Sequence, residues 1–231
     1  MDEALKTNRI RSKEFFTKYL SGKVIDIGAG DDLVTPTAER FDIEDGDANY
    51  ITQYRKTENY DAVHSSHCLE HMFNPVNALN EWWLLVKPGG YLILVVPDED
   101  LYEQGNWPSL FHGDHKNTFR LNKNNSWSPV SFDLEELVKN LPNVQIISSE
   151  IQDEYYDYQL KTSYPPKYRR IPLLLRALKK IIRKIPFVGK ALLVKYENIL
   201  FKYFGFPIDQ TMRDALAQIQ IVAHKVAGQT H

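Results

Sequence analysis

Two periodicities alternate along the chain. Leu5, Phe15, Phe16, Tyr19 and Leu20 fall near one helical face and Ser21-Gly22 closes the run, so a helix is expected from residue 3 to about 20. Val24-Ile25-Asp26-Ile27 is a short apolar strand that passes straight into Gly28-Ala29-Gly30, and residues 60–66 read as another strand. Asn74-Pro75 supplies an N-cap and a first-turn proline. Val76, Leu79, Trp82, Trp83 and Val86 follow at helical spacing, which predicts a helix over 75–86. Lys87-Pro88-Gly89-Gly90 stops it, and the apolar run from Tyr91 to Val96 has the character of a strand covered on both faces of a parallel sheet. Strand, helix, turn and buried strand form a crossover unit.

Residues 98–130 are rich in Asp, Asn, Gly, Pro and aromatic side chains without periodicity, and a loop of this length is usually functional. Asp133 caps a helix carrying Leu134, Leu137, Val138 and Leu141 on one face, with Glu136 in capping-box position. Residues 144–148 read as a strand and 219–226 as a final edge strand. Between them, Ile171, Leu174, Leu175, Leu178, Ile181, Ile182 and Ile185 oppose Arg176, Lys179, Lys180, Arg183 and Lys184 on an amphipathic helix, and a more apolar helix is expected over 191–204. These elements predict a single α/β domain over 1–231. Its mostly parallel sheet carries helices on both faces, and a basic helical insertion at 160–212 precedes the last strand.

Composition narrows the class. With 231 residues, 43% apolar and 25% charged, the chain is an ordinary soluble globular protein, which excludes whole-chain disorder, collagen and coiled coil. The longest uncharged strand-like stretch, 88–97, is about half what a spanning helix needs. The first residues are charged and lack the apolar block of a signal peptide, and one cysteine, Cys68, allows no internal disulfide, so a cytoplasmic location is expected. A net charge of −2 hides an asymmetry: 161–190 holds ten Lys or Arg and no acid, against 18 basic and 30 acidic residues elsewhere. The segment 169–190 therefore reads as a peripheral contact with an anionic membrane, as a lid or homodimer surface, or as a packed helix with a solvated face. No stacking motif supports nucleic acid.

The glycine turn after the first strand lets backbone approach a ligand closely. Its G-x-G-D-D spacing lacks the third glycine of the dinucleotide fingerprint, so a smaller cofactor than a nicotinamide dinucleotide is expected. Residues 24–30, Gly46-Asp47-Ala48, Asp61-Ala62-Val63 with His67-Cys68-Leu69-Glu70-His71, and residues 85–94 together resemble the ordered motifs of class I S-adenosylmethionine-dependent methyltransferases. The resemblance implies a Rossmann-like fold and S-adenosylmethionine as cofactor. It implies that Asp26 holds the methionine end or its water, that Gly28 and Gly30 pass the carboxypropyl and ribose groups, and that Asp42 bonds the ribose hydroxyls. Asp47 and Ala48 would meet the adenine, while Ser66 and His67 would lie near the sulfonium and the acceptor. Only eleven residues separate Gly30 from Asp42 and four separate Asp42 from Asp47, so the sheet is abbreviated near its second strand and Glu44 or Asp45 could replace Asp42.

On the acceptor side, methylation of oxygen needs a base, and His115 or His112, oriented by Asp114, has the right chemistry. His112-x-Asp114-His115 also offers three metal donors, but in loop spacing, and no metal site is expected. His71 reads as a structural cap and Cys68 as buried and inert. The expected function is methyl transfer to an oxygen, less readily a nitrogen, of a small molecule or saccharide. The loop resembles that of methyltransferases of bacterial surface-polysaccharide synthesis. The alternative is a non-catalytic protein of the same fold that uses the basic insertion to hold a membrane or partner.

Overall fold

The computed structural model describes residues 3–162, 172–185 and 189–228. Helices α1 (Glu3–Ile10) and α2 (Lys13–Tyr19) replace the single N-terminal helix expected from spacing. The break comes at Ser12, whose hydroxyl accepts from Phe15 N–H (3.1 Å) and starts a new helix, while Arg11 turns inward to the sheet. Then follow β1 (Val24–Ile27), β2 (Glu39–Phe41), β3 (Tyr60–Ser66), α3 (Pro75–Leu85) and β4 (Val86–Pro97). The region read as an unstructured loop contains a π-type helical turn, Glu99–Glu103, and a small parallel pair, β5 (Thr118–Arg120) with β6 (Ser131–Asp133). Helix α4 (Leu134–Lys139), β7 (Val144–Gln152), α5 (Leu173–Arg183), α6 (Gly189–Phe204) and β8 (Gln218–Lys225) complete the chain.

The main sheet has the order β2-β1-β3-β4-β8-β7, with only β8 running against the rest. The last strand is therefore not an edge. It lies between β4 and β7, and Ile219, Ile221 and Ala223 enter one apolar layer while Val222 enters the other. Alternation along β1 divides the layers in the same way: Ile25 and Ile27 pack with Trp82, Trp83 and Leu79 of α3 and with Leu134 and Val138 of α4, whereas Val24 packs toward Phe15, Phe16 and Tyr19 of α2. Helix α3 starts at Asn74, which accepts from Asn77 N–H (3.1 Å), with Pro75 in the first turn. Its tryptophans tie the core to the loops: Trp82 Nε1 donates to Ala48 O (2.9 Å) and Trp83 Nε1 to Pro142 O (2.9 Å).

After β1 the chain goes to β2 on one side, then crosses back to β3 on the other. The carboxyl ends of β1 and β3 flank this reversal, the place where open α/β sheets bind ligands. Only a short loop joins β1 to β2, and the 3-10 turn Ala48–Gln53 follows β2, so the sheet is abbreviated at this edge.

Candidate active site

Gly28 and Gly30 both have positive φ (+75° and +58°), for different reasons. A Cβ on Gly28 would lie 2.6 Å from Cys68 Cβ, whereas one on Gly30 would meet nothing within 4 Å. Gly28 thus lets β1 pass the segment after β3, and Gly30 faces open space. Gly30 N–H donates to Asp42 Oδ2 (2.7 Å), and Ile43 N–H donates to Asp42 Oδ1 (2.7 Å). Arg40 donates to Gly30 O (2.8 Å) and pairs with Glu44 (2.6 Å) and Asp45 (3.1 Å). Of the three candidate acids, Asp42 is the one bonded to the glycine loop, while Glu44 and Asp45 are engaged by Arg40. Asp47 caps the following 3-10 turn by accepting from Asn49 N–H (2.9 Å) and Nδ2 (2.8 Å).

Asp26 is buried with both oxygens taken, Oδ1 by His64 Nδ1 (2.6 Å) and Oδ2 by Val34 N–H (2.6 Å). It fixes the segment after the glycine turn from below. Burial lowers the pKa of His64 against the opposing pull of Asp26. Arg11 reaches the same pair, 3.3 Å from His64 Nε2, and also donates to Gln220 on β8 (2.7 Å). This buried network was invisible in the sequence because its members are far apart in the chain.

At the end of β3, the hydroxyl of Ser66 is buried with no hydrogen-bond partner among the described residues. His67 has φ +53°, donates its N–H to Val95 O (2.9 Å) and pairs Nε2 with Gln218 Oε1 (3.0 Å). Cys68 is buried, and desolvation raises its thiol pKa far above the ordinary value, so it is not a nucleophile.

The loop after β4 folds back onto the 3-10 turn Leu69–His71. Lys116 N–H (2.8 Å) and Asn117 N–H (3.1 Å) donate to Glu70 O, and Asn117 Nδ2 donates to Met72 O (2.7 Å). This brings His71, His112 and His115 together, with ring centroids 5.0–5.3 Å apart. The expected partnership differs in one respect. Asp114 pairs with His112 and with His71 Nδ1 (3.2 Å), whereas buried His115 pairs through Nδ1 with Glu103 (2.7 Å). His71 is a member of this cluster and not merely a cap. Burial lowers its pKa, with Glu70 opposing. Sequence reading gave no role to Glu70, although it stands beside His71 in a quoted motif, and missed Glu103, which lies twelve residues from His115 on another turn.

A methyltransferase domain family matches residues 3–140, more than half of the chain and the whole glycine-turn side of the sheet. The chain belongs to that family. No curated protein matches it. It is similar in fold to a SAM-dependent methyltransferase from Archaeoglobus fulgidus (15% identity, TM-score 0.49, 96% of this chain and 94% of that one). It is also similar to the Haemonchus contortus phosphoethanolamine N-methyltransferase 2 in complex with S-adenosyl-L-methionine (15%, TM-score 0.49, 96% and 52%). It spans 61% of a sarcosine dimethylglycine methyltransferase-like protein from Galdieria sulphuraria (12%, TM-score 0.42, 84% of this chain).

The residues of this methyltransferase domain fit an S-adenosylmethionine cofactor. The open space at Gly30, the unpartnered Ser66 hydroxyl and the carboxylates of Asp42 and Asp47 all lie on the segments that leave the carboxyl ends of β1, β2 and β3. Carboxylates suit the hydroxyl and amine donors of an adenosyl group, and no cluster built for a pyrophosphate is needed.

Proposed function

We propose that this methyltransferase methylates a hydroxyl oxygen of a small molecule or saccharide. The observation that carries this reading is the histidine–carboxylate cluster beside the end of β3. A hydroxyl must lose its proton as the methyl group arrives, and His112 bound to Asp114, next to His115 bound to Glu103, supplies oriented imidazoles for it. S-adenosylmethionine, when bound, supplies a methyl group on a sulfonium cation. The chain's own part is alignment. Gly28 and Gly30 let backbone approach, Asp42 and Asp47 hold the ribose and adenine ends, with Ala48 beside the latter, Asp26 fixes the loop, and Ser66 and His67 bound the transfer position. A saccharide of surface-polysaccharide type is the acceptor class that the long polar loop favours. Family membership argues against the non-catalytic alternative.

A peripheral membrane contact through α5 belongs to the same proposal. Leu173, Leu174, Leu178 and Ile181 are exposed, as are Lys180 and Lys184. The apolar side of this helix is therefore not consumed by packing, although Lys179 pairs with Glu197 (2.7 Å) and Tyr196 OH donates to Leu175 O (3.0 Å) to hold α5 to α6. Residues 169–171 and 186–188 of the basic segment lie outside the described residues. No helix among the described residues is long and apolar enough to cross a membrane.

Calorimetric titration with S-adenosylmethionine, S-adenosylhomocysteine and NAD tests the cofactor half. Micromolar binding of both adenosyl ligands, about −8 kcal/mol, weakened in Asp47→Ala and absent for NAD, is the expected result. Acceptor screening against hydroxylated sugars and amines tests the other half, and methylation confined to nitrogen would overturn it.

A further inference from the structure

We propose that His71, His112 and His115, with Glu70, form a binding site for a divalent transition-metal ion of the zinc class. One ring nitrogen from each histidine lies within 4.8 Å of the others. The second nitrogens are already placed. Nδ1 of His71 lies 3.2 Å from Asp114 Oδ2, Nδ1 of His112 contacts Asp114 Oδ1, and Nδ1 of His115 lies 2.7 Å from Glu103 Oε1. A carboxylate on Nδ1 fixes the neutral tautomer that carries its lone pair on Nε2, and this is the arrangement around metal-bound histidines. Three separate carboxylate contacts on three clustered imidazoles are more than proton relay from a single base requires.

Glu70 is the independent observation. It is fully buried, yet neither of its carboxylate oxygens has a hydrogen-bond partner among the described residues. A buried, unbonded carboxylate is costly unless a cation compensates it. Its Oε1 lies 3.8 Å from His71 Nε2 and 3.9 Å from His115 Nε2, with His67 Nδ1 at 3.5 Å. Those two separations are too long for hydrogen bonds, but two donors each about 2.1 Å from one ion can stand up to about 4.2 Å apart.

The donor set selects the ion. Three imidazoles and one carboxylate suit Zn²⁺, Co²⁺, Fe²⁺ or Mn²⁺, whereas Ca²⁺ and Mg²⁺ prefer all-oxygen shells. Loop spacing hid the site from the sequence, because the third histidine sits some forty residues upstream on another element. The cluster is clamped in place by Asn117 Nδ2 to Met72 O (2.7 Å) and Lys116 Nζ to His71 O (2.7 Å). The site rests on the oxygen-methylation reading and changes only the part the histidines play: with an ion bound, the imidazoles would be ligands, and the ion would lower the pKa of the acceptor hydroxyl so that its proton leaves to solvent before the methyl group arrives.

The test uses the full chain, stripped with chelator and titrated with Co²⁺ followed in visible absorption and with Zn²⁺ followed by calorimetry. One equivalent is expected to bind with the d–d spectrum of histidine-ligated Co²⁺. His112→Ala, an exposed position, and Glu70→Gln should each weaken binding at least tenfold, and Asp114→Asn by about 10–100-fold. Uptake in wild type no tighter than in a His71→Ala/His112→Ala double variant would overturn the site. S-adenosylhomocysteine titration on the same samples separates the two readings. Cofactor binding without a Co²⁺ spectrum removes the metal site alone, and a Co²⁺ spectrum without cofactor binding removes the cofactor reading and leaves the metal site standing.

Discussion

Glu103 Oε1 lies 2.7 Å from His115 Nδ1, and both side chains are nearly inaccessible to solvent. Twelve residues separate them, and the π-type turn Glu99–Glu103 is what points the glutamate back at the ring. Glu103→Ala leaves a buried imidazole nitrogen unpaired and is expected to destabilise the protein by about 1.5–3 kcal/mol, while Glu103→Gln, which can still accept from Nδ1–H, should cost less. Urea midpoints of the two variants check this, and equal losses would show that the hydrogen bond is not the cause.

The two glycines of the turn should fail differently. At position 28 the new Cβ would meet Cys68 Cβ at 2.6 Å and Sγ at 2.7 Å, so Gly28→Ala is expected to destabilise by about 2–4 kcal/mol from clash and positive φ together. Cys68→Ala should not rescue it, because the Cβ remains. Gly30→Ala should cost only about 1–2 kcal/mol, since its Cβ enters open space, but should weaken S-adenosylhomocysteine binding. Thermal unfolding with and without ligand distinguishes the two, and undiminished ligand affinity in Gly30→Ala would place the cofactor elsewhere.

Asp98 sets a pH dependence. Burial, against the pull of the Leu101 N–H bond, raises its pKa from 3.8 to about 6. Between those values the folded protein holds a proton that the unfolded chain has released, so this group makes stability fall as pH rises through the window. The two-unit separation amounts to about 3 kcal/mol. Asp98→Asn retains a capping side chain and should remove the effect, gaining on wild type progressively between pH 4 and 6. Parallel stability curves for the two proteins would rule this out.

For α5, Leu174→Glu and Ile181→Glu place charges at exposed positions and should leave the melting temperature unchanged. Each should abolish sedimentation of the protein with phosphatidylglycerol vesicles, while neutral phosphatidylcholine vesicles bind neither protein. Retained vesicle binding in both variants would refute the contact. A loss of dimer in ultracentrifugation instead would assign the face to a second copy.

Much of the fold was readable because its elements have local causes. Asn74-Pro75 starts α3, Asp133 starts α4, and the apolar run from Leu92 to Val96, bounded by Pro88-Gly89-Gly90 and Pro97, has the length and branching of a doubly covered strand. The split at Ser12 escaped periodicity, since the apolar spacing alone does not register the cap that starts a second helix. β8 looked like an edge because it is the last apolar run in the chain and alternates with polar residues only at its start, and such a pattern does not tell a central antiparallel strand from an outer one.

By itself the sequence determined the crossover order, the glycine turn at 28–30, the family, and the basic character of the insertion, because each rests on residues adjacent in the chain. Only tertiary structure decided which acid meets which histidine. Asp26 meets His64, Glu103 meets His115, and His71 joins His112 and His115 around Glu70. Such pairings depend on strand register and on where a loop returns, and those are fixed by the packing of the whole sheet rather than by any local preference.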